Sequence, residues 1–190
     1  TSPATLATAR TAIGGLGTQA AALGFGGSPA LTTTEEWNRS TNVITAGAWA
    51  SAPALTNARR SPAPGIGPAT AAMAVGGMDG AAPTGGLAYN EQYDGIAWSE
   101  GAGALNTGRS NMGGSTAGSQ TAALVFGGST NGNLPGITNA TEDYNGASWT
   151  TTPNSMTTGR NNLGGCGTST AALGFGGYLS AQLGDSEEWD

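Results

Sequence analysis

The dominant pattern along the chain is a short apolar run that ends in two glycines and occurs four times. Apolar side chains occupy every second position of the run, which is the period of a half-buried β-strand. The copies are spaced by 50, 51 and 49 residues, and their glycine doublets are Gly26 and Gly27, Gly76 and Gly77, Gly127 and Gly128, and Gly176 and Gly177. This spacing predicts a repeat protein with one β-rich unit per interval.

Charged and aromatic residues recur in register with the glycine doublets. Before each apolar run stands an arginine, at Arg10, Arg59, Arg109 and Arg160. After each doublet come a glutamate and, two positions later, an aromatic residue: Glu35 and Trp37, Glu91 and Tyr93, Glu142 and Tyr144, Glu187 and Trp189. A further segment opens with a tryptophan in three copies, at Trp49, Trp98 and Trp149. The chain therefore divides into repeats 6–49, 55–98, 105–149 and 156–190, called units 1 to 4 below.

Each unit is predicted to hold four short strands and no helix. The strands are a glycine-rich segment after the arginine, the apolar run, the segment with the glutamate, and the segment that begins at the tryptophan. Two units join the last two strands through YDGIAW (93–98) and YNGASW (144–149). Their Asp-Gly and Asn-Gly pairs suit the positive φ angles of a two-residue hairpin turn. Since no long stretch carries a helical apolar stripe free of glycine and proline, the predicted fold class is all-β.

A single unit of this size cannot bury both faces of its sheet. The copies are therefore expected to stack around a common axis, which also protects the sheet edges. The glycine doublets are expected where inner strands crowd together near that axis, because glycine permits close backbone approach and unusual φ angles. The four units leave no room for a second domain, so residues 1–190 are predicted to form one domain.

The order of arginine, glycine-rich strand, apolar strand with Gly-Gly, Tyr or Trp, and then Trp resembles the kelch repeat, which is a blade of a β-propeller. The resemblance extends over all four units and implies four-stranded antiparallel blades in a ring. Two units have Trp in place of Tyr, and the gap from Tyr to Trp is shorter than usual in the family, so the units are kelch-like. Their alanine- and threonine-rich composition is also similar to kelch-type repeats in predicted fibre and appendage proteins of marine bacteriophages.

The two ends of the chain indicate how such a ring closes. Unit 4 stops at EEWD (187–190), ahead of a tryptophan strand, and residues 1–5 match segments that follow the tryptophan in other units. We expect residues 1–5 to supply the outer strand of the last blade and so to join the first and last units. The alternative is that the sequence belongs to a longer array of repeats.

Composition narrows the possible functions. The chain has 190 residues, a net charge of −6, six arginines, one cysteine and neither lysine nor histidine. A nucleic-acid partner is not expected, because phosphate binding needs a basic surface. No apolar run is long enough to span a bilayer, so membrane insertion is not expected. We also expect no metal, no cofactor and no catalytic residue. Adjacent carboxylates such as Glu142 and Asp143 point to opposite faces of a strand and do not form a glycosidase pair.

The recurring polar and aromatic residues have a structural and a functional interpretation. The arginines and glutamates are predicted to pair through bidentate contacts. The alternative is a ring of guanidinium groups that attracts an anion or a glycan carboxylate. The aromatic residues are predicted to pack between blades rather than to stack on sugars. Cys166 stands where other units have Leu16 and Ile66 and is predicted to be a small buried residue.

Tyr89 and Tyr178 are the candidate ligand-binding residues. We interpret both as lying outside the repeat register, in the variable segments after the glycine doublets, where loops on a rigid scaffold commonly bind ligands. The expected function is a non-enzymatic structural or adhesive module of a virion or another extracellular surface. Its expected partners are other virion or surface proteins, host surface glycans, or further copies of itself. The alternatives are an intracellular kelch-type scaffold for a protein partner and a glycan-processing enzyme.

Overall fold

The structure, a computed structural model, describes residues 6–18, 21–28, 30–38, 48–79, 85–132 and 134–190, with the side chains at 37, 38 and 48 excepted. All regular elements in these ranges are β-strands. They are β1 Gly14–Gly17, β2 Ala21–Phe25, β3 Thr34–Asn38, β4 Ala48–Ala52, β5 Ala72–Val75, β6 Tyr89–Tyr93, β7 Trp98–Ala104, β8 Gly113–Gly114, β9 Ala123–Phe126, β10 Thr141–Tyr144, β11 Trp149–Thr151, β12 Gly164–Gly167, β13 Ala172–Phe175 and β14 Ser186–Trp189.

The strands form four antiparallel sheets, one for each unit, in a propeller-like arrangement. Units 1 and 3 have four strands in sequential order, and units 2 and 4 have three. In each unit with a tryptophan strand, the aromatic residue of the preceding strand stands opposite the tryptophan, as Tyr144 does with Trp149. The predicted all-β class and the predicted order of strands are confirmed.

The two incomplete sheets have different causes. In unit 2, Pro62 and Pro64 interrupt the inner segment, and a proline has no N–H to donate to a ladder. That segment pairs with β5 only through an isolated bridge between Ile66 and Met73 and a hydrogen bond from Ala63 N–H. In unit 4 the outer strand was predicted from residues 1–5, which lie outside the described residues.

The hairpin turns are shifted by one position from the prediction. Asp94 N–H donates to the Ala97 carbonyl at 3.2 Å, so the central residues of the turn are Gly95 and Ile96. Gly95 alone of these residues has a positive φ, +91°. The Asp94 carboxylate accepts the N–H groups of Ile96 and Ala97, each at 2.8 Å, and Asn145 binds its own turn in the same way. The first residue of each pair is therefore a side-chain acceptor rather than a central turn residue.

Consecutive units meet face to face through their apolar runs. Leu23 and Phe25 of unit 1 are buried in one cluster with Ala72 and Ala74 of unit 2. The contacts between units 2 and 3 and between units 3 and 4 bury the corresponding runs. The hydrophobic core therefore consists of three layers, each between two sheets.

The glycine doublets join consecutive units. In the first three doublets the second glycine donates its N–H to the arginine carbonyl of the next unit: Gly27 to Arg59 at 3.3 Å, Gly77 to Arg109 at 2.9 Å, and Gly128 to Arg160 at 2.8 Å. The first glycine of a doublet packs against the same carbonyl. Gly127, for example, has φ +64°, and a Cβ at this position would come within 2.7 Å of the Arg160 carbonyl oxygen.

The doublets show the positive φ angles and the close backbone approach that were predicted for them. All eight doublet glycines have φ angles between 61° and 124°, and a Cβ on Gly77 would lie 2.8 Å from the Arg60 carbonyl oxygen of its own inner segment. The first three doublets also bind the next unit. Inner strands of neighbouring units approach each other through other glycines, because a Cβ on Gly165 would lie 2.5 Å from the Gly114 nitrogen. The sequence did not separate these roles, since each needs a residue without a Cβ.

Unit 4 has an open face. Within the described residues, no backbone hydrogen bond and no hydrophobic cluster joins unit 4 to unit 1. Phe175 is 44% exposed, whereas the corresponding Phe25 and Phe126 are 0% and 4% exposed. We call the surface formed by Cys166, Leu173 and Phe175 the terminal face.

Candidate functional site

The arginine and glutamate of every unit form an ion pair: Arg10 with Glu35, Arg59 with Glu91, Arg109 with Glu142, and Arg160 with Glu187. All four arginine side chains are at most 1% exposed. The guanidinium groups are consequently unavailable as an exposed ring for anions. The predicted bidentate geometry is wrong, however, because a single nitrogen of each arginine contacts the carboxylate.

Most of the remaining polar atoms of each pair bind the backbone, whereas the buried Arg59 Nε has no hydrogen-bond partner. In unit 3, Arg109 Nη1 donates to the carbonyls of Gly127 and Ala140 at 2.7 and 2.8 Å. The second carboxylate oxygen of Glu142 accepts the Asn106 N–H at 2.7 Å. One ion pair thereby fastens the arginine segment, the glycine doublet and the third strand to one another.

Burial and the polar contacts of these ion pairs shift the pKa values of the paired groups in opposite directions. Desolvation lowers the pKa of Arg109, and the charge of Glu142 offsets part of this effect. Burial raises the pKa of Glu187, but hydrogen bonds from Thr157 and Thr158 and the charge of Arg160 outweigh burial and leave that pKa below its ordinary value. The Glu187 side chain is 21% exposed, compared with 1% for Glu142.

All four units line one cavity of about 400 Å³. The residue two positions after each arginine contributes to its wall: Ala12, Ser61, Asn111 and Asn162. These four residues have φ angles between 50° and 55°, in the left-handed region that asparagine tolerates better than most residues. Sequence reasoning missed them, although asparagine at this position in two units was a usable signal.

Backbone hydrogen bonds link these wall residues from unit to unit. Ser61 N–H donates to the Ala12 carbonyl at 3.2 Å, Asn111 N–H to that of Ser61 at 3.0 Å, and Asn162 N–H to that of Asn111 at 2.9 Å. The strained φ angle turns each N–H toward the preceding unit. The units therefore surround the cavity as a hydrogen-bonded series.

The variable connections begin beside this cavity. In every unit, the residue after the glycine doublet bridges to the residue after the arginine: Ser28 to Thr11, Met78 to Arg60, Ser129 to Ser110, and Tyr178 to Asn161. The distance in sequence from the doublet to the glutamate is 8 residues in unit 1 and 14 in units 2 and 3. Segments of different length thus start next to residues that line a common cavity. We call the eight residues of these four bridges the cavity rim.

The two tyrosines singled out from the sequence occupy different environments. Tyr178 is 40% exposed at the cavity rim, and its N–H and carbonyl bind Asn161. Tyr89 begins β6, is half-buried, and has its ring centroid 4.8 Å from the Arg59 guanidinium carbon. The Tyr89 carbonyl accepts the Gly76 N–H, as the Thr33 carbonyl does with Gly26. Both tyrosines are therefore in the repeat register, and the prediction that they lie outside it is wrong.

Cys166 is exposed, contrary to the prediction. It stands opposite Leu173 on the terminal face. Ile66, at the corresponding position of unit 2, is fully buried in the contact with unit 3. A residue at this position is buried by the next unit, and no described unit follows unit 4.

A second groove, of about 130 Å³, lies between units 3 and 4. Apolar side chains of both units line it, together with the polar residues Thr141, Ser155, Thr157, Glu187 and Glu188. The groove adjoins Trp189 at the end of β14, which pairs on one edge with β13 and is the last strand of its sheet. Among the described residues, the groove therefore adjoins an aromatic side chain at the last strand of its sheet.

Comparisons with known proteins assign no family to this chain. No protein-family model matches it, and no curated protein is significantly similar to it. In the part of the chain that the structure describes, no helix is long and apolar enough to cross a membrane. The same residues include no group of three or more Cys, Asp or Glu side chains arranged to hold a metal ion.

Proposed function

We propose that this protein is a non-enzymatic structural or adhesive module, a kelch-like β-propeller that acts on a virion or another extracellular surface. Its binding face is the cavity rim, and its ligands are host surface glycans or other virion and surface proteins. The supporting observation is that all four variable connections start beside the shared cavity. Variable segments held by a rigid scaffold are where binding residues concentrate.

The chemistry of the cavity rim suits a saccharide. Tyr178 offers an exposed aromatic ring with a hydroxyl group. Ser61, Asn111 and Asn162 line the adjoining cavity, and their hydroxyl and amide groups both donate and accept hydrogen bonds. Sugar rings combine apolar faces with hydroxyl edges, so an aromatic ring beside amides meets both requirements.

A glycan array tests this proposal. We expect the protein to bind a defined set of saccharides, Tyr178→Ala to abolish that binding, and Tyr178→Phe to retain most of it. Ile96→Ala is the matched control, because Ile96 is 76% exposed on a hairpin turn and is not among the residues that line the shared cavity. Saccharide binding that Tyr178→Ala leaves intact contradicts the assignment of the cavity rim.

The second candidate function is a scaffold for a protein partner. It applies to an open row of units, in which unit 1 does not cover the terminal face. Phe175 and Cys166 are exposed, whereas the residues at the same positions of units 1 and 2 are covered by the next unit. Binding to coat or surface proteins without any saccharide binding would support this candidate over the first.

The propeller assignment includes closure of the ring between units 4 and 1. Unit 4 carries Phe175 on the terminal face and the Gly177 N–H beside it, which correspond to the groups through which units 1 and 3 contact their successors. Unit 1 offers the matching Leu6 and Arg10 carbonyl. Closure would shield Cys166, so we expect its thiol to react with a thiol reagent far more slowly in the native protein than in urea. Equal rates would contradict closure.

A further inference from the structure

Arg60 is the one charged residue of the cavity rim. Its N–H donates to the Met78 carbonyl at 2.8 Å, and its carbonyl accepts the Met78 N–H at 2.9 Å. These bonds hold the Arg60 backbone beside the start of the variable connection of unit 2. The other units have neutral residues at this position, namely Thr11, Ser110 and Asn161. The rim therefore carries a single positive charge, in a chain whose net charge is −6.

The charge of Arg60 is not paired with a carboxylate in the part of the chain that the structure describes. Arg60 is half-buried, and its Nε is buried without a hydrogen-bond partner. None of the ion pairs between described residues includes it. The adjacent Arg59, by contrast, donates to the Glu91 carboxylate and to carbonyls of its own unit. A guanidinium group that is partly removed from water and unpaired costs free energy, which an anionic ligand would recover.

Arg60 adjoins the cavity that all four units line. The next residue, Ser61, belongs to the cavity wall together with Asn111 and Asn162. The cavity volume of about 400 Å³ lies within the range of small-molecule sites, roughly 300–1,000 Å³. Tyr178 adds an exposed aromatic ring on the rim of unit 4. A ligand in this cavity thus meets a cation, several hydroxyl and amide groups, and an aromatic ring.

The cation at the rim favours a ligand with one carboxylate. A guanidinium group presents parallel N–H donors that match the two oxygens of a carboxylate, and such charged hydrogen bonds are stronger than those to a neutral sugar hydroxyl. A polyanion is disfavoured, because it needs several cationic side chains and the rim has one. The exposed Asp79, which directly follows the rim residue Met78, would also repel further negative charge. The charges therefore select a saccharide that carries a single acidic group.

We propose that the cavity rim binds a glycan that ends in an acidic sugar, a sialic or uronic acid, and that Arg60 binds its carboxylate. The hydroxyl and amide groups of Ser61, Asn111 and Asn162 then bind sugar hydroxyls, since they both donate and accept hydrogen bonds. This inference rests on the proposed function and deepens it, because it names the class of glycan and the residue that selects it. Arg60 acts as a specificity-determining residue, whereas the aromatic ring of Tyr178 serves acidic and neutral sugars alike.

An array of chemically matched glycans tests the proposal with the full chain. The probes are glycans that end in a sialic or uronic acid, each printed beside the same glycan with its carboxylate reduced to a primary alcohol. The reduction removes the charge and keeps the rest of the sugar. We expect the acidic form of at least one pair to bind about tenfold more tightly than its reduced form, with the affinities then measured by calorimetry.

Variants of the protein assign the preference to Arg60. Arg60→Gln should weaken binding of the acidic glycan about tenfold and leave binding of the reduced form unchanged, so that the two forms bind equally. Arg60→Lys should retain part of the preference, because it keeps the charge and loses the parallel donors. Ile96→Glu is the control for net charge: it lowers the charge by one, as Arg60→Gln does, at a residue that is 76% exposed and is not among those lining the cavity. Thermal unfolding of each variant checks that it remains folded.

The possible failures of this inference and of the proposed function are distinct. Equal binding of acidic and reduced glycans by the unaltered protein overturns the inference and leaves the proposed function standing. A preference for the acidic form that Arg60→Gln leaves intact overturns the role of Arg60. Binding to no saccharide at all overturns both the inference and the proposed function. A glutamate-rich peptide is titrated in parallel, and its binding in preference to acidic glycans would assign Arg60 to a protein partner and contradict a saccharide ligand.

Discussion

Trp98 and Thr34 connect two sheets through one hydrogen bond, in which the indole N–H donates to the threonine hydroxyl at 3.1 Å. The Trp98 ring meets Phe25 of the same neighbouring unit edge-on, with ring centroids 5.3 Å apart and planes inclined by 61°. The outermost strand of unit 2, β7, therefore contributes to the contact between sheets as well as to its own sheet. This contact explains why the tryptophan recurs at the repeat spacing.

Trp98→Ala is expected to destabilise the protein by about 3–5 kcal/mol, the usual cost of truncating a buried aromatic residue. Urea unfolding followed by circular dichroism measures this cost. Ile96→Ala, two residues away and 76% exposed, should change the free energy of unfolding by less than about 0.5 kcal/mol. Similar effects of the two substitutions would show that Trp98 is not part of the core.

Glu142→Gln is expected to cost about 3–5 kcal/mol, because it leaves the Arg109 charge buried without its partner. Glu187→Gln is the matched comparison and should cost less, because Glu187 is 21% exposed and water therefore screens its ion pair with Arg160. The double variant Arg109→Met/Glu142→Leu should recover part of the loss, because it removes both charges. Equal costs at the two glutamates would contradict a role for burial.

Acidification is expected to destabilise the protein through Glu187 and Asp94. The N–H groups of Ala97 and Ile96 lower the pKa of Asp94, and the pKa of Glu187 is also below its ordinary value of 4.5. A carboxyl group with a lowered folded-state pKa stabilises the protein above its unfolded-state pKa, and this stability is lost as the pH falls through the folded-state value. Melting temperatures between pH 6 and pH 2 should therefore fall, with a shallower fall for Glu187→Gln. Parallel curves for the two proteins would exclude a contribution from Glu187.

Gly127→Ala is expected to be strongly destabilising for two reasons. A φ of +64° costs an L-residue about 1–2 kcal/mol, and the new Cβ would approach the Arg160 carbonyl within 2.7 Å. Gly184→Ala is the control, because nothing lies within 4 Å of a Cβ at that position. Thermal unfolding should separate the two variants clearly, and a tolerated Gly127→Ala would mean that units 3 and 4 are not in contact there.

The sequence was sufficient for the features that depend on recurring local spacing. The strands and the pairing of Arg109 with Glu142 follow from the alternation of apolar residues and from the shared period of the two charges. The placement of Trp98 between units follows in the same way. Each of these features recurs along the chain, so the sequence contains several independent copies of the signal that predicts it.

The features that were predicted wrongly depend on particular neighbours. Cys166 has the same local sequence context as Ile66, but its exposure is set by whether another unit follows. Tyr89 was placed in the variable segment after its glycine doublet, whereas its carbonyl and its ring both contact the Arg59 guanidinium. The register of the turn is set by the backbone N–H groups that donate to the Asp94 carboxylate. Residue preferences alone do not distinguish this role of an aspartate from a central position in the turn.

Ring closure makes a prediction at two residues of unit 4. If unit 1 covers the terminal face, Phe175→Ala should cost about as much as Phe126→Ala, roughly 3–5 kcal/mol, although Phe175 is 44% exposed without that cover. Gly176→Ala should then be as harmful as Gly127→Ala, because the Arg10 carbonyl would take the place that the Arg160 carbonyl has beside Gly127. Both comparisons use urea unfolding of matched pairs of variants.

The pairs separate the closed ring from an open row of four units, because Phe175 and Gly176 contact a following unit only in the closed ring. Phe126 and Phe175 have the same position in their strands, and Gly127 and Gly176 have φ angles of +64° and +63°. Their intrinsic costs therefore cancel, and any remaining difference measures the contact with the following unit. A cost below about 0.5 kcal/mol for Phe175→Ala, together with a tolerated Gly176→Ala, would show that the terminal face stays uncovered in solution.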